Sequence, residues 1–516
     1  MSNRQGTLKT LSKSVRGNRA VSVATVFCSM AEVVFEIVIP ICMSNLLDKG
    51  IQSGDMSAVW RYGAELLGLA ALAMTTGILA ARIGARASVG LAANLREDMY
   101  RNVQTFSFSN IDKFSTSSIV TRLTTDVTNV QNAYQMMLRI AVRGPAMLVF
   151  AMIVSFRISP DMSRIFLIAI PVLGIPLALI SKGVHPIFAK VFRTYDKLNN
   201  IVQENVRGIR VVKSFDQEQH EIDKFHSVSE DIRSNFTKAE KILAFNSPLM
   251  QLCMYTCMIL ISWFGAKAIV ASGNDAALGL TTGNLTALST YATQILMSLM
   301  MLSMVFSMII ISQASARRIA EILNEKADIS NPSSPVMEVK DGSIDFDHVD
   351  FVYASKADKK VLSNIDVHIK SGETIGIIGG TGSSKTSLVQ LIPRLYDVTG
   401  GSLSLGGVNV KDYDLEVLRS SVAMVLQKNE LFSGTIKENL RWGNEDATDE
   451  QLEQACRLAC AHEFISAIPN GYDTYIEQGG VNVSGGQKQR LCIARALLSQ
   501  PKVLILDDST SAVDTH

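Results

Sequence analysis

Between Asp275 and Arg317 the chain carries no charged side chain. A bilayer crossing takes roughly 20 apolar residues, so this stretch predicts one membrane helix with its approach and exit. Residues 247–266 and 165–181 form two further apolar runs, the second bounded by Arg164 and Lys182. Three less regular runs bring the set to six. They are residues 20–47, interrupted by Glu32 and Glu36; residues 66–81, of modest length; and residues 140–156, interrupted by Arg143. Lys and Arg crowd the N-terminus and the long segments 82–139 and 182–241, and are scarce near Asp48, Ser159 and Gly273. The positive-inside rule then puts the N-terminus, both long segments and the C-terminal half on the cytoplasmic side. The long segments keep helical apolar spacing with few breakers, so the membrane helices are expected to run on beyond the bilayer.

After Asp328 the pattern changes. The run Asp-Ile-Ser-Asn-Pro-Ser-Ser-Pro ending at Pro335 is turn-rich and reads as a linker. Alternating apolar residues at 343–353 predict a strand. Continuous apolar runs at 374–378 and 503–506 predict strands buried on both faces. Between them, Ser484-Gly485-Gly486 opens an amphipathic helix that Pro501 stops. The expected organisation is a membrane domain over residues 1–325, a linker over 326–337 and a second domain over 338–516.

Hydrophobic residues are 47% of the 516 and charged residues 19%, rich for a soluble protein. A net charge of +1 offers no basic excess for phosphates, so a nucleic-acid partner is not expected. Seven cysteines suggest no disulfide framework; Cys253 and Cys257, like Cys456 and Cys460, sit one helical turn apart, as small hydrophobes do. No cleavable signal peptide is apparent, because no small-residue cleavage site follows a short apolar core.

Candidate chemistry lies in the second half. Gly379-Gly380-Thr381-Gly382-Ser383-Ser384-Lys385-Thr386, followed by Ser387, comes after a predicted strand and before a predicted helix, the context of a phosphate-binding loop. Backbone N–H groups of such a loop cradle phosphates, a lysine reaches the β- and γ-phosphates, and the following hydroxyl binds magnesium. About a hundred residues later come Ser484-Gly485-Gly486-Gln487 and an apolar run ending in Asp507 and Asp508. Loop, signature and acidic strand in this order resemble the nucleotide-binding domain of an ABC transporter. The fold class is therefore a membrane α-helical domain of six transmembrane helices with long cytoplasmic extensions, followed by an α/β P-loop NTPase domain. Residues 95–131 and 204–225 resemble the first and second intracellular segments of bacterial multidrug- and lipid-type ABC exporters. The resemblance thus covers nearly the whole chain.

The resemblance implies specific roles. Tyr353 stacks on adenine. Gln427 touches magnesium and the attacking water. Asp507 holds magnesium, and Asp508 occupies the place of the catalytic glutamate. Ser484, Gly485, Gly486 and Gln487 bind the γ-phosphate held by an opposite domain. Short coupling helices near residues 115–121 and 214–222 dock on a nucleotide-binding domain. Three departures stand out: Ser384 where the loop usually has glycine, Gln478 where many exporters have glutamate, and Asp508 itself. The chain stops at His516, directly after the D-loop residues 511–514, whereas the family's switch histidine follows some tens of residues later, so a C-terminally truncated chain is expected. ATP and Mg2+ are the implied cofactors.

Two membrane features remain open on residues alone. Glu32 and Glu36 share a helix face and read either as a substrate or proton contact or as a packing feature near Pro40. Met297, Met300, Met301, Met304 and Met308 follow helical spacing and read as cavity lining or as packed and lipid-facing surface. By resemblance the chain is expected to be one half of a dimeric exporter in the cytoplasmic membrane, moving small amphipathic or apolar solutes by alternating access. Its partner would be a different subunit carrying the catalytic glutamate, with this chain's own site slow. The rival reading is an ATP-gated channel or nucleotide-regulated sensor. That reading expects a path lined with basic residues, where the spans offer methionine and glutamate.

Overall fold

The computed structural model describes residues 2–274, 279–353 and 360–508. They fall into two compact units. One comprises the described residues of Met1–Val103 and Ser117–Asn324, the other those of Gln104–Thr116 and Glu325–His516.

The first unit is helical. Helix α1 (Ser2–Lys13) precedes α2 (Arg19–Asn45) and α3 (Met56–Gln104). Helix α4 (Phe108–Lys113) belongs to the second unit. Then come α5 (Thr116–Thr121), α6 (Val127–Ile158), α7 (Pro160–Arg207), α8 (Ile209–Ser214), α9 (Glu218–Leu243), α10 (Asn246–Ser272) and α11 (Thr282–Asn324). Among the described residues six helical stretches are long and apolar enough to cross a membrane; five contain a predicted run, and the sixth, Thr282–Val305, lies within the charge-free stretch between Asp275 and Arg317. Local chemistry marks their ends. At the start of α7, Pro160 takes the first helical position and the Ser159 hydroxyl accepts from the Met162 N–H at 3.4 Å. Helix α10 ends at Gly273, whose φ of 59° is the left-handed conformation that glycine adopts without a Cβ penalty.

The apolar core of this unit joins Val33 and Ile37 of α2, Met147 and Ala151 of α6, Phe166 and Leu173 of α7, Ile261 of α10, and Leu288, Tyr291 and Ile295 of α11. Cys253 and Cys257 are buried within it, as small hydrophobes. Tyr291 is fully buried, and its hydroxyl donates to the Ile37 carbonyl at 2.6 Å, which satisfies its one polar atom. Arg143, which interrupts the third apolar run, is an ion-pair centre. Its Nη1 donates to Glu32 Oε1 at 3.0 Å and its Nη2 to the two Glu36 oxygens at 2.6 and 2.9 Å. Gly77 of α3 faces the Glu32 carboxylate so closely that an added Cβ would stand 3.0 Å from Oε1.

In the second unit, β1 (Ile344–Phe351), β2 (Leu362–Ile369), β3 (Gly400–Leu405) and β4 (Val408–Asn409) form an antiparallel sheet ordered β2-β1-β3-β4. The alternation at 343–353 becomes β1, where Ile344, Phe346, Val349 and Phe351 are buried. Helix α12 (Lys385–Leu391) follows the glycine-rich loop, and α13 (Leu415–Ser421) leads into β5 (Val422–Val425). The short β6 (Gly434–Thr435), α14 (Ile436–Arg441), α15 (Asp449–Leu458), α16 (His462–Ala467), β7 (Tyr475–Ile476) and α17 (Gly485–Leu498) build a mainly helical part, and β8 (Val503–Leu506) closes the described chain. Among the described residues strand β8 pairs, in parallel, with β5 alone, and β6 pairs with β7. One apolar core lies under β1–β3 and α12–α13, and another among α14–α17.

Two expectations need correction here. Residues 374–378 are not a strand among the described residues: they pair with no neighbour, and Ile378 is 96% exposed. An apolar run alone does not make a ladder, because its N–H and C=O groups need a paired strand. Cys460 is exposed at φ 52°, unlike the buried Cys456 one turn before it. The D-loop residues 511–514 and His516 lie outside the described residues.

Candidate nucleotide site

The glycine-rich loop, Tyr353, Gln427 and the two aspartates are far apart in sequence, yet they line a single cavity of about 850 Å3. Its walls include Tyr353, Gly379, Thr381, Gly382, Ser383, Ser384, Lys385, Thr386, Ser387, Gln427, Asp507 and Asp508. Gly380 sits in the same loop, and its carbonyl accepts from Lys385 Nζ at 3.1 Å.

The Lys385 ammonium also donates to the Gly379 carbonyl at 2.8 Å and reaches Ser383 Oγ at 3.4 Å, so it lies within the curl of the loop. Ser384 just precedes α12 at φ 65° and ψ 22°. An L-residue pays about 1–2 kcal/mol for that left-handed geometry. Backbone conformation, more than side-chain size, is therefore the physical reason a glycine suits this position. Ser384→Gly is expected to stabilise the folded chain by about 0.5–1 kcal/mol, net of the flexibility glycine adds to the unfolded chain. Thermal unfolding of the full chain in detergent is the measurement. A lower midpoint than wild type would show that the serine hydroxyl outweighs the strain.

Tyr353 closes another side of the cavity. Its hydroxyl hydrogen-bonds Ser387 Oγ at 2.8 Å, and its ring meets Phe351 and Tyr396 edge-on at 4.8 and 5.1 Å. Tyr396 carries this aromatic cluster to α4. Its ring lies 6.0 Å from Phe108, and its hydroxyl donates to Asp112 at 2.7 Å. Burial, and then the Asp112 carboxylate, push the Tyr396 phenol above its ordinary range. Helix α4, residues 108–113, thus packs within the second unit through Phe108 and Asp112. Ser107 and Asn110 start that helix with a reciprocal capping box, which turns Phe108 and Asp112 toward Tyr396. In the second segment, Phe215 and Ile222, around the turn between α8 and α9, are exposed.

The chain just after α11 is also held in place. Asp328 accepts from the Ser107 hydroxyl and, at 2.6 Å, from the Ser109 hydroxyl. Burial pushes its carboxyl up, but these bonds and nearby backbone N–H groups outweigh it and hold the group below the usual range. Sequence reading missed both the Tyr396–Asp112 contact and this one, and no local pattern announces either.

At the end of β8, the Asp507 N–H donates to the Val425 carbonyl at 3.0 Å. Asp507 Oδ2 is buried with no hydrogen-bond partner. A buried carboxylate oxygen without a donor is costly unless a cation meets it, so this residue fits a divalent metal. Asp508 adopts φ 53°, and its Oδ2 accepts from Gln427 Nε2 at 3.1 Å. Gln489 of α17 is buried, and its Nε2 reaches the Asp508 carbonyl at 3.4 Å.

Ser484, Gly485, Gly486 and Gln487 do not line the cavity. They form the N-terminus of α17, where Ser484 Oγ accepts from the Gln487 N–H at 3.3 Å and Gln487 Oε1 from the Ser484 N–H at 2.9 Å. The signature serine and glutamine are thus a capping box, which holds the turn open toward solvent.

Residues 22–300 match the family described as the ABC transporter transmembrane region, more than half of the chain, and residues 362–511 match the ABC transporter ATPase family. The chain belongs to the ABC transporters. It is 36% identical over 485 residues to the ABC transporter ATP-binding protein YfiB of Bacillus subtilis, covering 94% of this chain and 83% of that one. It is 31% identical over 514 residues to the ABC transporter ATP-binding protein MT1311 of Mycobacterium tuberculosis, covering 99% and 87%. An ATP-dependent lipid A-core flippase of Desulfotalea psychrophila shares 31% identity over 480 residues, covering 92% and 82%. As an ABC transporter with its membrane region and ATPase domain fused, the chain has half-transporter architecture. It is a multi-pass membrane protein with a cytoplasmic ATPase domain that binds ATP and couples its hydrolysis to transport.

Proposed function

We propose that this chain is the slow-site half of a heterodimeric ABC exporter of small amphipathic or apolar solutes. Asp508 carries the reading. Its carboxylate is one methylene shorter than a catalytic glutamate and is engaged by Gln427. A retreat of about 1 Å can cost about a hundredfold in rate. The signature turn Ser484-Gly485-Gly486-Gln487 is not part of this chain's cavity wall. It is therefore available to complete a partner's site. A partner that brings its own glutamate would form the fast site with this signature, while this chain's loop and Asp508 form the slow one.

At the slow site, Tyr353 would stack on adenine, and the loop from Gly379 to Ser387 would cradle the phosphates, with Lys385 at the β- and γ-phosphates. Thr386, Gln427 and Asp507 would hold Mg2+, which shields the phosphate charge. The unpartnered Asp507 oxygen supports that assignment. Nucleotide would favour the closed pair of ATPase domains through contacts made only there, and the closed pair would shift the membrane helices outward. Export of lipid-like solutes is supported by the flippase relative and by the apolar, methionine-bearing spans.

The test compares two neutralised carboxylates in the complete assembly, co-expressed with its partner half-transporter. Changing the partner's catalytic glutamate to glutamine is expected to abolish ATP turnover. Asp508→Asn is expected to leave turnover within about twofold, since the slow site contributes little when the fast one runs about a hundred times faster. Equal loss from both changes would refute the asymmetric arrangement.

A further inference from the structure

A second cavity, of about 300 Å3, lies among α2, α6 and α11 of the membrane unit. Met147, Met297 and Met301 line it, with Gln294, Glu36 and Arg143. All four methionines of α11 from Met297 to Met304 are exposed, and of them Met297 and Met301 line the cavity. Thioether side chains are polarisable and adapt to varied apolar shapes.

The charge on this wall does not balance. Arg143 is one guanidinium held within hydrogen-bonding distance of two carboxylates, Glu32 and Glu36. Glu32 does not line the cavity; its side chain is 10% exposed and is backed by Gly77. It therefore acts as the buried counter-ion of Arg143. Glu36 lines the cavity with its side chain 24% exposed and is the second negative charge on a single positive one. Among the described residues no other charged side chain lines the cavity. Arg139, one turn earlier on α6, lines a separate cavity with Asn132 and Gln135 and makes no ion pair with either glutamate. Gln294 also lines the cavity, and its Oε1, the negative end of the amide dipole, is buried without a hydrogen-bond partner. An excess charge beside an apolar, low-dielectric space is costly and attracts its opposite.

We infer that this cavity is a recognition site for amphipathic solutes bearing a single positive charge, with Glu36 as the residue that selects the sign. The inference rests on the exporter reading and narrows its solute class. The cation supplies the missing charge, the three methionines contact its apolar body, and Arg143 repels anions of the same shape.

Tetraphenylphosphonium and tetraphenylborate, ions of nearly equal size and opposite charge, are the probes. Their binding to the full chain in lipid nanodiscs is measured by equilibrium dialysis, without nucleotide. Glu36→Gln is expected to weaken tetraphenylphosphonium binding about tenfold or more and to leave tetraphenylborate binding unchanged or tighter. Thr290→Lys, which cancels the excess charge from another wall and keeps Glu36, is expected to weaken the cation by a similar factor. It decides the matter should Glu36→Gln fail to fold. Cation affinity unchanged in both variants overturns the proposal, as does equal weakening of both ions. If Glu36 carries a proton in the wild type, the cation binds as it does to Glu36→Gln, and the proposal also falls. ATP-driven uptake of the same cation into inverted vesicles containing the chain with its partner half-transporter is read separately. Glu36-dependent binding without uptake upholds the site and counts against the exporter reading. Uptake that ignores Glu36 overturns the site and leaves the exporter reading intact.

Discussion

Arg143→Ala is expected to destabilise the membrane unit by about 3–5 kcal/mol, the usual consequence of removing one partner from a buried ion pair. The reason is local. Glu32 sits between α2, Gly77 of α3 and the guanidinium, and Glu36 lies one turn away on the same helix face. Without Arg143 two carboxylates share a low-dielectric site with no cation, and both must shed charge or draw in water. The expected result is a large drop in the thermal midpoint of the detergent-solubilised chain and a loss of monodisperse protein. The triple variant Arg143→Met, Glu32→Gln, Glu36→Gln is expected to recover most of that loss, because replacing a whole buried ionic group is often close to neutral. A midpoint for Arg143→Ala equal to wild type would mean that the pairs are solvated and contribute nothing.

Lys385→Ala is expected to act on binding and hardly on stability. Lys385 donates only to loop carbonyls and a serine hydroxyl at the mouth of an open cavity. Water can replace those bonds at a cost of about 0.5 kcal/mol or less. Toward a triphosphate, however, its ammonium makes charge-assisted contacts worth about 1.5–3 kcal/mol, so nucleotide affinity is expected to fall roughly 10- to 100-fold. Titration of the full chain with a non-hydrolysable ATP analogue, alongside a melting curve without nucleotide, separates the two effects. Unchanged affinity would remove Lys385 from the phosphate site. A large fall in melting temperature would mean that the loop itself depends on the lysine.

Much of this molecule was legible in short windows of sequence. A membrane crossing needs only about 20 apolar residues in a row, and all six crossings correspond to helices of the structure. The glycine-rich loop, the signature turn and the Asp507–Asp508 pair each concentrate their chemistry in a few adjacent residues, so their types could be read without knowing their surroundings. Tertiary structure decided what those windows do to one another. Arg143 looked like a flaw in a membrane span until α6 brought it against Glu32, 111 positions away. Tyr396 had no distinguishing pattern, yet its hydroxyl meets Asp112 across 284 positions. The run 374–378 had the composition of a buried strand but has no strand partner among the described residues. Ser384 stood out only as a departure from the usual glycine, and the backbone revealed the left-handed geometry it must adopt. Residue type and spacing determine which groups a segment offers and which face of a helix they share. The net charge of a cavity, the partner of a buried ion and the strain at one residue are set by distances between segments remote in sequence, and packing alone determines those.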